Sequence, residues 1–317
     1  MPELRWALTL PFTGIPLADH EPLVRRAEER GYRELWTGET NGADGFTPLA
    51  LAAAWTSEMR VGTGVVNPFT RGIPVLAQHA AALADASRGR FNLGLGSSSN
   101  VIVERWNGVP FTKPLTRVRE AVEALRPILA GERGPGGFKL EAAPEHPVPI
   151  YVAALRDRML RMAGEKADGT FVNFLPLSGL PHVIEQIREG ERAGDREGES
   201  AVVCRFFCIP QSPEEGMGVA RFLLSAYATV PVYEAFFRSL GWGDALDPMV
   251  KAWKEGDRKL ALERAPEDLI REIVIFGSPE EQRARLEEFV AGGITTPVLT
   301  FLSGPEQLPG LIDALAP

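Results

Sequence analysis

Three stretches of this chain end a β-forming run in small or polar residues, which would let a ligand approach the backbone closely. Gly62-Thr63-Gly64-Val65-Val66-Asn67-Pro68 sets glycines on both sides of a threonine in a β-branched run. Glycines weaken a strand interior unless they answer a geometric need. The run therefore reads either as a bulge where a ligand nears the backbone or as room for packing inside a sheet. Gly94-Leu95-Gly96 leads into Ser97, Ser98, Ser99 and Asn100. Their polar groups suit hydrogen bonds to a ligand, or capping of the next turn. Ala153-Ala154-Leu155-Arg156-Asp157-Arg158 ends a third run and opens a helix. A helix N-terminus offers free N–H donors and a positive dipole end to phosphate, with Arg156 and Arg158 either adding charge or forming a solvated face. Glu39, at the end of another run, is a carboxylate for ligand contact or acid–base work, or one half of a loop ion pair. Asn67 and Arg71 follow the first stretch, and Arg71 reads better as a loop anchor than as a ligand group.

These residues need parallel strands behind them. Strand patterns run over 5–10, 34–38, 60–66, 91–96, 149–155, 168–174, 201–210 and 295–302. Those flanking the first two motifs are apolar on both faces, as parallel strands are. Helical patterns lie between them, at 17–31, 46–57, 73–87, 114–131, 156–166 and 180–194, with Asp19 as a cap and Gly31 as a stop for the first. Eight strands alternating with helices predict an α/β protein, a (β/α)8 TIM barrel over 1–317, with insertions at 97–113 after strand four and 211–277 after strand seven. In such barrels the carboxyl ends of the strands carry the chemistry. The aromatic helical runs of 211–277 suit a lid, or equally packing or a subunit interface. A doubly wound sheet would show GxGxxG after its first strand; PFTGIPLAD lacks it.

Composition narrows the partners. The 317 residues are 44% apolar and 24% charged, with a net charge of −8. That charge argues against a nucleic-acid backbone as partner, and no 18-residue apolar run suggests a membrane span. The opening MPELRWALTLPF lacks a basic n-region, so it reads as the first strand of a cytoplasmic protein. Cys204 and Cys208 share one strand-like run; four residues of strand span roughly 13 Å, beyond disulfide reach, so both are expected as buried free thiols. Four histidines stand without HExxH or HxH spacing, and no metal site is expected. Neither paired carboxylates nor a nucleophile triad can be assembled from the motifs.

VGTGVVNPFTR followed by PVLAQHAAALADASRGRFNLGLGSSS resembles the luciferase-like monooxygenase superfamily, barrels that bind flavin or deazaflavin. GLGSSSNVIVERWNGVPFTKPLTRVREAV resembles its coenzyme F420-dependent oxidoreductase branch, and ELWTGETNGADGFTPLALAA and IYVAALRDRMLRMAGEKADGTFVN match that pattern in order and spacing. The resemblance spans most of the chain and is weakest over 211–277. It implies a non-prolyl cis peptide at Gly64-Val65, bulging against one face of the tricycle, and the coenzyme phosphate at the strand-five/helix-five junction. The coenzyme contacts implied are Glu39, Thr63, Gly64, Val65, Gly96, Ser97, Ser98, Ser99, Ala154, Leu155, Arg156 and Asp157, with Glu39 the candidate catalytic residue. The activity implied is hydride transfer between F420 and a small organic substrate, in a homodimer. An FMN-dependent two-component monooxygenase and a non-catalytic flavin-binding barrel are the alternatives. F420-dependent glucose-6-phosphate dehydrogenases carry a His and a Glu where this chain has Thr40 and Ser99, so the sugar-oxidising pair is missing. The substrate is expected to face 12–16, the insert with Trp106 and 211–277.

Overall fold

A computed structural model describes residues 2–317. Its strands are β1 (Ala7–Leu10), β2 (Glu34–Thr37), β3 (Arg60–Thr63), β4 (Phe91–Leu95), β5 (Ile150–Ala153), β6 (Gly169–Asn173), β7 (Ala201–Ile209), β8 (Val274–Phe276) and β9 (Thr296–Phe301). All pairings are parallel. β1 to β7 follow one another around a ring that β9 closes by pairing with both β7 and β1. The fold is a TIM barrel, and its eight ring strands coincide with the eight sequence patterns.

Helices α1 (Glu21–Glu29), α2 (Thr47–Trp55), α3 (Ile73–Ala86), α4 (Pro114–Leu129), α5 (Asp157–Lys166) and α6 (Leu180–Ala193) follow β1 to β6 in turn. After β7 come α7 (Pro213–Ala228), α8 (Pro231–Ser239), α9 (Gly243–Lys254), α10 (Arg258–Glu263) and α11 (Glu267–Ile273). Helix α12 (Pro279–Ala291) leads into β9, and α13 (Leu308–Ala314) ends the fold. Ser-Pro-Glu-Glu opens both α7 and α12 with a capping box, Ser212 with Glu215 and Ser278 with Glu281. The insertion after β4 holds a short π-helical segment, Val101–Trp106.

Two expectations need correction. Strand β8 was not visible in the sequence: three residues running straight on from α11 give no strand period. It forms because β7 is nine residues long. Strand β6 pairs with Ala201–Arg205 and β8 takes over the same edge at Phe207–Ile209, while β9 runs along the other edge. Asp19 does not cap α1; it lies in a 3-10 turn, and His20 holds the N-cap position. His20 Nε2 accepts from the Phe12 amide (2.8 Å) and its Nδ1 lies 2.9 Å from the Pro16 carbonyl oxygen. That ring fixes the loop after β1 against the helix that follows.

The main core lies between ring and helices, and includes both free cysteines. Burial pushes both thiols well above their ordinary pKa. A smaller core fills the barrel itself: Ala7, Trp36, Tyr151, Phe171, Val203 and Val298. The Trp36 ring meets Tyr151 edge-on at 5.1 Å and Phe171 at 5.4 Å. It crosses to β3 because residue 62 is glycine; a Cβ there would lie 2.6 Å from the indole. Below it, buried Glu34 accepts from Trp36 Nε1 (2.8 Å) and pairs with Arg5 (3.3 Å). The amino end of the barrel is thus plugged, and the carboxyl end remains for a ligand.

Helix α13 is fastened to α1 by Asp313, which accepts from Arg26 Nε (2.7 Å) and Arg30 Nε (2.7 Å). These bonds, that from Arg26 foremost, hold the carboxyl far below its ordinary range. A depressed folded-state pKa contributes stability that is present above the unfolded value of about 3.9 and lost as pH falls below it. Hydrogen exchange should show α13 protection constant between roughly pH 7 and 5 and falling in stronger acid. Asp313→Asn should show the lower protection already at neutral pH; full protection there would contradict the clamp.

Candidate active site

The mouth of the barrel is shaped by a bulge at the end of β3. The β3–β4 ladder is regular to Gly62 opposite Asn92 and resumes where Val66 bridges Leu95. Between those points three residues, Thr63, Gly64 and Val65, oppose two, Leu93 and Gly94. An extra residue on one strand is the definition of a bulge. Thr63 Oγ1 bridges the gap, donating to the Gly94 carbonyl (2.8 Å) and accepting from the Gly94 amide (2.7 Å). The strands approach so closely that a Cβ on Gly94 would lie 1.8 Å from the Thr63 oxygen. The extra residue turns Val65 into the barrel mouth, over Gly96, where a Cβ would lie 2.4 Å from Val65 Cγ2. The Gly64-Val65 peptide bond is cis, as the resemblance implied.

Above the bulge opens a cavity of about 1070 Å³. Its walls include Glu39, Gly64, Val65, Gly96, Ser97, Ser98, Ser99, Ala154, Leu155, Arg156 and Asp157. Thr63 departs from expectation: it is fully buried below the cavity and its hydroxyl is consumed by Gly94. Ser99 Oγ accepts from the Ile102 amide (3.3 Å), so it also caps the π-helical segment. Ser97 and Ser98 have no such turn to cap, and Ser98 adopts a left-handed backbone (φ 59°).

Glu39 faces a loop as well as the cavity. Both its oxygens pair with Arg71 (2.5 Å each), and Oε1 also accepts from the Gly45 amide (3.1 Å). The fork-to-fork geometry makes this a strong, directional pair, and the Glu39 bonds hold Arg71 above its ordinary pKa. The pair ties the loop after β2 to the loop after β3. Asn67 shapes the latter by accepting from the amides of Phe69 (3.1 Å) and Thr70 (2.9 Å).

At the start of α5, Arg156 sits at the N-cap in extended conformation. Among the described residues no acceptor meets the amides of Arg156 and Arg158. Asp157 instead faces α6, its Oδ1 lying 2.9 Å from His182 Nε2, and that bond lowers its pKa. The α5 terminus thus presents free amides and two guanidinium groups to the cavity.

Opposite, on β6 and β7, the mouth carries groups that sequence reasoning missed. Arg205 Nε donates to Asn173 Oδ1 (3.2 Å), and Asn173 Nδ2 donates to the Tyr233 hydroxyl (2.9 Å). Tyr227 and Tyr233, from α7 and α8, line the same wall and pack edge-on at 5.2 Å. A charged residue inside the apolar run AVVCRFFC was the available signal for Arg205.

The sequence model of the luciferase-like monooxygenase family matches residues 7–296. The chain belongs to this family. A protein of Mycobacterium tuberculosis whose name places it provisionally among coenzyme F420-dependent oxidoreductases is 28% identical, over 90% of this chain and 91% of its own length. The 5,10-methylenetetrahydromethanopterin reductase of Methanolobus tindarius is 27% identical, over 93% of this chain and 95% of its own. Among solved structures, the coenzyme F420-dependent tetrahydromethanopterin reductase of Methanopyrus kandleri superposes with a TM-score of 0.81 at 23% identity, covering 99% of this chain and 98% of that one. Monooxygenases, one solved with FMN, share the fold at lower TM-scores.

If Glu39 and Arg71 act as one clamp, removing either should cost much the same. In Glu39→Gln, Arg71→Ala and the double variant, denaturant unfolding should give a coupling energy of about 1 kcal/mol. Additive losses would show that the two act separately.

Proposed function

We propose that this enzyme transfers a hydride between coenzyme F420 and a small organic substrate. The observation that carries the reading is the pairing of two features across one cavity: a bulge that turns Val65 into the barrel mouth, and a helix N-terminus with free amides and two arginines. The first suits the face of a flat tricycle and the second suits a phosphate. The name of the mycobacterial relative points the same way, and that of the Methanolobus relative names a reductase.

The residues present fit such a coenzyme. Arg156, Arg158 and the amides at the start of α5 would hold its phosphate; Ser97 and Ser98 would bond its polar chain; Val65 and Gly96 would form the wall behind its ring. Bound there, a deazaflavin supplies two-electron hydride exchange without activating dioxygen, and the protein supplies orientation. Glu39 acts as a positioning residue, since both its oxygens are held by Arg71 and it sets the loop that borders the ring site. The helices after β7 wall the remaining side and limit water there.

An FMN-dependent monooxygenase is the second reading, favoured by the FMN-bound structure of the same fold. Fluorescence titration with F420 and FMN in parallel separates the two. The protein should bind F420 and should bind FMN weakly or not at all. The double variant Arg156→Ala/Arg158→Ala should bind F420 at least ~10-fold more weakly, with the difference shrinking at high salt. Tight FMN binding without F420 binding would overturn the proposal.

A further inference from the structure

Arg205 lines the barrel mouth without an ionic partner among the described residues. Its strand alternates inward and outward, so Val203 in the barrel core places Arg205 inward, one layer higher. The guanidinium reaches across the mouth towards β2: Nη1 lies 3.3 Å from where a Cβ on Gly38 would be, so glycine at 38 leaves the space it occupies. One face of the group lies over Phe207, 5.1 Å from the ring centre. Its Nε is used by Asn173. Among the described residues no carboxylate lies within 4.0 Å of it, and nothing accepts from Nη1 or Nη2. The nearby cavity carboxylate, Glu39, is already bound by Arg71.

A partly buried guanidinium with an idle fork lacks the partner that such a group ordinarily has. Tyr233 complements it. Its oxygen accepts from Asn173, so its own O–H proton is left for an acceptor in the cavity. Burial raises the Tyr233 pKa, which keeps that proton in place at neutral pH. Asn173 bridges the two, fixing the guanidinium by its oxygen and the phenol by its nitrogen.

We infer that Arg205 and Tyr233 form the substrate-orienting site of this cavity, and that the substrate carries a carboxylate. The two oxygens of a carboxylate match the planar fork of Arg205, and the Tyr233 O–H supplies a third donor. The substrate class is new to the reading above and rests on it only in taking the cavity as the active site. The binding chemistry itself involves no coenzyme.

The test is therefore made without coenzyme. Ligand-observed NMR titrations would compare benzoate with benzamide, its neutral counterpart of the same shape. Benzoate should bind at least tenfold more tightly than benzamide, and Arg205→Met should remove that preference. Tyr233→Phe should weaken benzoate severalfold, and Arg205→Lys should keep part of the affinity because it keeps charge but not the fork. Thermal unfolding establishes that each variant is folded. Should Arg205→Met fail to fold, weakened binding in both Arg205→Lys and Tyr233→Phe supports the site, and wild-type binding in both overturns it. Equal binding of benzoate and benzamide overturns it as well. So does benzoate binding lost in Arg156→Ala but kept in Arg205→Met, which would place the carboxylate at α5. Because F420 is absent throughout, failure here leaves the coenzyme reading standing, and failure of F420 to bind leaves this result readable.

Discussion

The contact between Thr63 and Gly94 governs the whole mouth of this barrel. One strand carries a residue more than its neighbour, and the mismatch would leave main-chain polar groups unpaired in a buried place, which is costly. The threonine hydroxyl resolves it by accepting from the Gly94 amide, and it adds a second bond to the Gly94 carbonyl, which also accepts from the Val66 amide (3.0 Å). That works only if the strands come close, and only glycine at 94 leaves room for the Thr63 carbonyl. Once the bulge is closed in this way, Val65 is directed over Gly96 and into the opening. The side chain expected to touch a ligand, Thr63, is what makes the wall possible, from beneath it.

The charges around the cavity then divide the labour. Arg71 is neutralised by Glu39 and ties two loops together. Arg156 and Arg158 stand at the amino end of α5 beside unpaired amides, in the field of its dipole. Arg205, on the other side of the ring, is held by an amide rather than by a carboxylate. The chain as a whole is acidic, yet the unneutralised charge facing the cavity is positive. Guanidinium groups without an ionic partner among the described residues therefore line the cavity at two places, the start of α5 and β7.

The ring strands were legible because parallel strands buried on both faces leave continuous apolar runs ending in glycine or polar residues. The bulge was legible as one of two readings, since glycines in a β-branched run signal either a bulge or room for packing, and Gly62 does serve packing by admitting the Trp36 ring. Other features depend on tertiary context. The turn that displaces Asp19 from the cap goes with His20 folding back on Phe12 and Pro16 within the same loop, a closure that the helical period does not register. Strand β8 exists only because β7 outruns β6. The inward direction of Arg205 follows from the register of a closed barrel, which a single strand pattern does not specify. Tyr233 comes from the helical insert, where an amphipathic pattern shows that a face is buried but not what it is buried against.

The central claim is that this mouth seats a deazaflavin with its ring against Val65 and its phosphate at α5. A crystal structure of the protein soaked with oxidised coenzyme F420 tests it most directly. The account predicts a phosphate oxygen about 3 Å from the amide of Arg156 or Arg158 and the tricycle packed on the Val65 and Gly96 wall. A phosphate seated instead on Arg205, or a ring lying against the helices after β7 and away from the bulge, would contradict it.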